Sequence, residues 1–568
     1  MKQKFIKITT LFIGATLFLS GCGSGSKNSS ESKEPNKVAS VMDEYFTATD
    51  LSKNPVKERD DTFISTISEP GGVFIPYFYE NGWDGNAIDP MFASLVTLDE
   101  KGNPVADLAE SWDISTDNLV YTYHLKNNLK FSDGSPLTAE DVAFTLTLLD
   151  DPSYSGFIDI SQASIKGADA YKNGTSNSIE GIKVIDSQTI EITTEKVYPL
   201  NLTLLGGQVL SKTYYGKDYQ KGKLDYLKAL YSKPLGSGPY KLDKYVPGQE
   251  IDYVANDNYY GGKPHIKNLI FKVTTKETAL QLFQTGETDI DGFNTDQDTI
   301  EQLKNLGFAN IRISTISDFG LIYINNKKPY LKDKDVRQAL IYGLDRQKIV
   351  DIKYNGLGEV ANVPTAPNLW AYTEEGVTKY DFDQEKAKKL LDDAGWKVGS
   401  DGIREKDGKR LQLSYLTSKN NDQIIPVAKE NYKEIGIDFQ AEVMDSNTMF
   451  GKLNSGDYDL VGVRTSGLSD PNDSVAEFAS DLPTTQNISG YSNSKVDGLI
   501  KEGVNTVDVE KRKEAYKRLY QEFSNDPPII LIDYRKGVKA WNSRIKGIDN
   551  DNFAGVSSTN LAKLEIEK

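Results

Sequence analysis

The sequence has one cysteine, Cys22, in 568 residues. That excludes an intramolecular disulfide and every zinc or iron–sulfur site built on a cysteine cluster. Histidine is almost as scarce. The two present, His124 and His265, are too far apart for H-E-x-x-H, and the chain lacks both a G-x-S-x-G elbow and a G-x-x-x-x-G-K-[ST] phosphate loop. "LGSGPY" (235–240) is glycine-rich but lacks the lysine such a loop needs. A Ser-His-Asp triad would have to use His124, in an alternating strand pattern, or His265, just after the turn "GGKP". Both read as structural positions. Carboxylate pairs stay open, because 82 acids always contain some, and a glycoside hydrolase is the enzymatic alternative. Basic clustering is missing as well: 66 Lys and Arg against those acids leave a net charge of −16. Such a balance argues against nucleic acid as a partner and suits a water-facing body.

What is present begins at the N-terminus. "KQKFIK" (2–7) is basic, and "ITTLFIGATLFL" (8–19) is an apolar run. The run is shorter than the roughly 20 residues a spanning helix needs and fits a signal peptide. Leu19-Ser20-Gly21-Cys22 resembles the bacterial lipobox, in which the cysteine thiol takes a diacylglycerol before cleavage on its N-terminal side. Mature residue one is then Cys22, a lipoprotein N-terminus whose several acyl chains, palmitate among them, suffice for stable anchoring. "GSGSKNSSESKEPNK" (23–37) reads as a flexible tether. Residues 38–60 are mixed and acidic, expected to pack poorly with one short helix.

At this length the body should divide into at least two lobes, since single cores stop growing near roughly 250–300 residues. No internal repeat is visible, and strands alternate irregularly with helices, as in mixed α/β lobes. "NLVYTYHLK" places Leu119, Tyr121, Tyr123 and Leu125 on one strand face. Thr138 and Asp141 form a capping box ahead of Val142, Leu146 and Leu149. "IEGIKVIDSQTIEITTE" reads as a hairpin. "DKDVRQALIYGLDRQKIV" (333–350) reads as one helix with Val336, Leu340 and Leu344 in a stripe. Asp383 caps a second helix that stops at Gly395. A third uses Ala515, Leu519 and Phe523 and ends at Pro527-Pro528, before the strand "IILIDY" (529–534).

Several segments together closely resemble one family. "VADLAESWDISTDNLVYTYHLKNNLKFSDGSPLTAEDVAFTL" (105–146) resembles the signature of family 5 extracellular solute-binding proteins, the oligopeptide- and dipeptide-binding proteins of ABC importers. "PLGSGPYKL" (234–242), "FQTGETDI" (283–290), "INNKKPYLKDKDVRQALIYGLDRQKIV" (324–350), "EKAKKLLDDAGW" and "SGDYDLVGVRTSGLSDP" (455–471) follow in the family's order. The resemblance covers about residues 62–568. It implies an α/β fold of the type II periplasmic-binding-protein kind, two lobes with a hinge plus an extra third domain. The expected division is 1–21 signal peptide, 22–61 tether, 62–90, 200–310 and 530–568 for lobe I, 91–199 for the extra domain and 311–529 for lobe III. Hinge crossings are expected near 198–204 and 526–534, or near 311–325. The implied activity is capture of a short peptide by lobe closure and delivery to permease subunits with their ATPases. The protein is then a monomer held on the extracytoplasmic face of the cell membrane. It is not an enzyme and needs no cofactor or metal.

The resemblance also implies where the ligand lies. A strand edge in Arg464, Thr465, Ser466, Gly467 and Leu468, ahead of Asp470-Pro471, meets peptide amides. Glu80 and Trp83 form a second wall, and Asp318, Phe319 and Tyr323 a third. One position departs from the pattern. Many members carry an Asp three residues before the acid of the Asp-Pro pair to bind the peptide ammonium; here that residue is Gly467. Asp318 or Glu80 are the replacements to test. Other relatives bind oligosaccharides or nickel complexes or serve as pheromone receptors, and these stay as alternatives. Nickel is disfavoured because no histidine follows residue 265.

Overall fold

The computed structural model describes residues 44–56, 58–79, 81–99, 103–156, 158–465, 468, 470–483, 486–548 and 558–567. Cys22, and with it the signal peptide and tether up to residue 43, lies outside the described residues, as do Glu80, Ser466 and Gly467. No helix among the described residues is long and apolar enough to cross a membrane.

Alternation in the sequence becomes burial in the sheets. Tyr121, Tyr123 and Leu125 are buried on one face of the strand Val120–Leu125, while His124 points out and pairs with Asp113 Oδ2 at 2.9 Å. That strand lies between Ala109–Ile114 and Thr189–Thr193 in a four-stranded antiparallel sheet completed by Ile182–Asp186. The helix Ala139–Leu149 covers it, opened by the expected box: Thr138 N–H donates to Asp141 Oδ2 at 2.8 Å. A second four-stranded sheet runs Thr62–Ile67, Asn268–Val273, Glu250–Ala255, Tyr240–Val246. Both sheets contribute to one core, which also takes in Trp541, Ile545, Leu561 and Leu564 from the C-terminus.

The largest sheet has nine strands. Its spine is the strand Ile529–Asn542, whose two halves have different neighbours. Residues 536–542 pair with Ala309–Thr315, whereas 529–533 pair with Gly320–Ile324. Beyond Gly320–Ile324 come Leu460–Arg464, Gln412–Thr417 and Asp438–Val443. Helices cover both faces of this second half. Lys334–Tyr342, Gln384–Asp393 and Ile424–Glu434 bury one face, with Ile322, Leu413, Leu460 and Ile530. Val509–Asn525 buries the other, with Phe319, Leu321 and Ile529.

Around 316–319 and 534–537 the two strands thus exchange one set of neighbours for another. The expected 198–204 crossing runs into the short helix Asn201–Leu205, which packs Leu202 and Leu205 into the N-terminal core. The 311–325 window contains the first change of neighbours. The second lies just beyond 526–534, and a cut at 529/530 would sever residues that pair with Gly320–Ile324.

Two further expectations need correction. The stretch 333–350 is two helices, Lys334–Tyr342 and Arg346–Tyr354. The chain breaks at Gly343, and Asp345 caps the second helix by accepting from Lys348 N–H at 2.9 Å. The described residues of 44–61 are attached to the body rather than free as a tether, although none of them is buried. Glu44–Phe46 adds an edge strand to Ala309–Thr315, and Lys304 Nζ sits 3.6 Å from the Phe46 ring centre. Asn54 and Asn542 exchange amide hydrogen bonds at 2.8 and 3.0 Å, and Arg59 Nη2 donates to Asp289 at 2.7 Å. The short helix is there too, as the 3₁₀ turn Leu51–Lys53.

Candidate functional site

Gln412–Thr417 and Leu460–Arg464 run parallel, so their carboxyl ends open on the same side of the sheet. That side is where α/β sheets place ligands. It is also where the two connecting segments cross, and the structure gathers charge there. Asp318, in the first connecting segment, is buried and held by two guanidinium groups. Arg464 Nη1 donates to Oδ1 at 2.7 Å, and Arg535 Nη2 donates to Oδ2 at 2.6 Å. Arg464 Nη2 also donates to Asp533, which accepts from Lys353 Nζ at 2.6 Å and from Tyr354 O–H at 2.8 Å. Three cations therefore surround two buried carboxylates. Such a cluster persists only with near-complete hydrogen bonding, because each unpaired charge would cost several kcal/mol of desolvation.

Local structure aims these groups. The ladder between Gly320–Ile324 and the long strand shifts register after Gly320, which pairs with Asp533 while Leu321 pairs with Leu531. This bulge turns the Asp533 carboxylate toward Arg464. Gly320 leaves the room: a Cβ there would lie 2.7 Å from Asp533 Oδ2 and 3.0 Å from Arg464 Nη2. Lys353 and Tyr354 come from the last turn of Arg346–Tyr354, which ends at Asn355 with φ 46°.

The expected ligand walls fare unevenly. Both oxygens of Asp318 accept from guanidinium groups, Oδ1 from Arg464 and Oδ2 from Arg535. Thr465 N–H donates to Phe319 O at 3.0 Å and Leu468 N–H to Ser317 O at 3.1 Å. At Thr465 and Leu468 the backbone N–H groups of the expected edge are therefore taken by the connecting segment. Phe319 and Leu468 are buried in one core cluster. Asp470 is buried and accepts from Arg512 Nη2 at 2.7 Å. Tyr323 O–H donates to Glu477 Oε1 at 2.7 Å; burial pushes Glu477 up to about 7, and the tyrosine bond pulls part of the way back. Trp83 is 46% exposed at the start of the helix Gly82–Ile88, and its N–H donates to the capping Asn81.

Another surface was not legible in advance. Tyr198 is half-buried and donates to Gln162 Oε1 at 2.9 Å. Burial first, and then the charges of Asp470 and Asp473, push its hydroxyl up to about 12, with Arg512 opposing. A residue of the N-terminal body thus stands within electrostatic reach of the loop after Arg464. Phe78 and Tyr154 meet edge-on at 5.5 Å nearby in the fold's first body, and Tyr77 carries a left-handed φ of 74°. Its carbonyl accepts from Tyr154 O–H at 3.0 Å and its hydroxyl donates to Gln208 O at 2.7 Å. A bulky residue in that conformation is strained and is held there by its surroundings.

A family model described as bacterial extracellular solute-binding proteins, family 5 middle, matches residues 103–486. The oligopeptide-binding protein AppA of Bacillus subtilis (strain 168) is 29% identical over 561 residues, spanning 96% of each chain. Heme-binding protein A of Haemophilus influenzae is 26% identical over 583 residues, covering 97% of this chain and 99% of its own. The solved structure of B. subtilis AppA in complex with a nonapeptide has a TM-score of 0.69 at 26% identity, over 89% of this chain and 99% of that one. The fold is therefore that of the periplasmic binding proteins, with mixed helices and sheets in several domains. A chain of this kind binds a solute and makes or breaks no bond in it. It belongs to the family 5 bacterial extracellular solute-binding proteins.

Proposed function

We propose that this chain is the lipid-anchored substrate-binding protein of an ABC importer, a monomer on the extracytoplasmic face that captures oligopeptides by lobe closure and hands them to the permease. The observation that carries the reading is the relation to AppA, similar along nearly the whole chain and solved with a nonapeptide bound. In this reading lobe I is built from 62–90, 200–310 and the C-terminal residues, the extra domain from 91–199, and lobe III from about 320–533. Peptide contacts fall on Glu80, Trp83, Tyr323 and residues 464–468, while Asp318 and Asp470 act through their guanidinium partners. Closure follows from linkage: contacts made to both lobes exist only in the closed state and so favour it. Cys22 carries the anchor, and tethering raises the effective concentration for docking.

Native mass spectrometry of the purified protein tests the ligand class. Copurified peptides should appear as a ladder of adduct masses that vanishes on denaturation. A clean apoprotein that takes up haem but ignores a peptide pool would instead support the activity named for the H. influenzae relative. For the anchor, a Cys22→Ala variant should leave the membrane fraction; retention there would refute lipidation.

A further inference from the structure

The segment 316–319 is fastened on every side by groups from the 320–535 body and from the second connecting segment. Ile316 N–H donates to Arg535 O at 3.0 Å. Ser317 O accepts from Leu468 N–H, and Ser317 Oγ accepts from Asn368 Nδ2 at 2.8 Å. Phe319 N–H donates to Thr465 Oγ1 at 3.0 Å, and the ring is buried. Asp318 takes Arg464 on one oxygen and Arg535 on the other; Arg535 Nε also lies 3.1 Å from Oδ2. Arg464 is itself fixed by Asp533 and Tyr354. None of these bonds reaches the N-terminal body. On that side the two segments continue as a ladder, with Thr315 opposite Lys536 and Ser314 opposite Gly537, and Leu357 packs against it beside Ile313 and Val538 while accepting from Lys536 N–H at 2.9 Å.

We propose that Asp318 is a positioning residue that clamps the first connecting segment to the second and to the 320–535 body, so that the lobes pivot at Thr315–Ile316 and Lys536–Gly537. The clamp explains why a buried acid on the ligand side of the sheet faces two arginines and no open space. It also gives Gly537 a role. A Cβ there would come within 3.0 Å of Ile316 Cδ1, so the glycine keeps the second pivot clear of the first. With the clamp intact, rotation is confined to one short axis. Without it, residues 316–319 join the moving part, although 534–535 stay laddered to Gly358–Val360, and the lobes sample many more separations.

The proposal rests on the lobe-closure reading but is tested without ligand, so failure to bind peptide leaves its outcome untouched. Spin labels are placed in the full chain, in a Cys22→Ser background, at Ile185→Cys and Val398→Cys. Both positions are exposed, at 57% and 61%, one on each body. Pulsed dipolar spectroscopy of the ligand-free protein then reads the distance distribution. With Asp318 present it should be narrow. With Asp318→Asn it should broaden and gain a population at longer separation. Arg535→Lys keeps the charge but not the two-pronged contact. Its side chain is 37% exposed, so this variant should fold and show the same broadening. A folded Arg535→Lys protein with the parent distribution would overturn the clamp. So would an Asp318→Asn protein that melts earlier yet stays narrow, because a merely structural residue would do just that.

Discussion

Gly320 is the residue on which the charged cluster depends most plainly. Its missing side chain lets Asp533 and Arg464 meet, so Gly320→Ala must push one of them away. Overpacking of this kind costs about 1–3 kcal/mol, to be read from urea midpoints. Glu477 should reveal itself through pH. Its folded pKa, about 7, lies above the ordinary glutamate value of 4.5. The native state therefore holds the proton more tightly, and this contribution is complete below pH 4.5 and lost as pH rises through 7. Glu477→Gln should flatten that slope, gaining on the parent protein between pH 5 and pH 8 in paired urea titrations. An unchanged slope would place the titration elsewhere. At this scale the sequence was only partly legible. Arg464 and Asp318 stand out in their segments, but their partnership does not, since 146 positions separate them. Asp533 left a trace that could have been read: an acid inside the apolar run "IILIDY" must be paired if the strand is buried.

Elements were far easier to read, because caps and periodicities are local. The box at Thr138 and the cap at Asp383 act within one turn, and both helices start where those residues stand. The break at Gly343 was missed because the apolar stripe continues across it: Leu344 is buried like Val336 and Leu340 before it. What the stripe conceals is a fresh cap at Asp345. Asp345→Ala should remove the bond to Lys348 N–H and destabilise the protein by about 1 kcal/mol, again measurable by urea denaturation. The bonding of the 464–468 edge to its neighbour was hidden for a different reason. Whether a strand edge is open depends on what lies beside it, and the covering segment 317–319 is distant in sequence. Family order names the loop and leaves its neighbours unstated.

On the scale of the whole molecule, the packed chain begins earlier than composition suggests. Residues 44–61 are polar enough to read as tether, yet they supply an edge strand, the Asn54–Asn542 pair and the Arg59–Asp289 ion pair. Chains starting at residues 23, 44 and 62 test this by their urea midpoints. One starting at residue 62 should unfold at a lower concentration, since Asp289 then keeps only Arg544 as ion-pair partner. Equal midpoints for all three would mean that the segment adds nothing. The account as a whole stands or falls on the class of solute held between the two bodies. Isothermal titration of the ligand-free protein with a nonapeptide mixture, haem and a linear oligosaccharide tests this most directly. The account predicts saturable heat from the peptides alone; binding of haem or sugar with no response to peptide would contradict it.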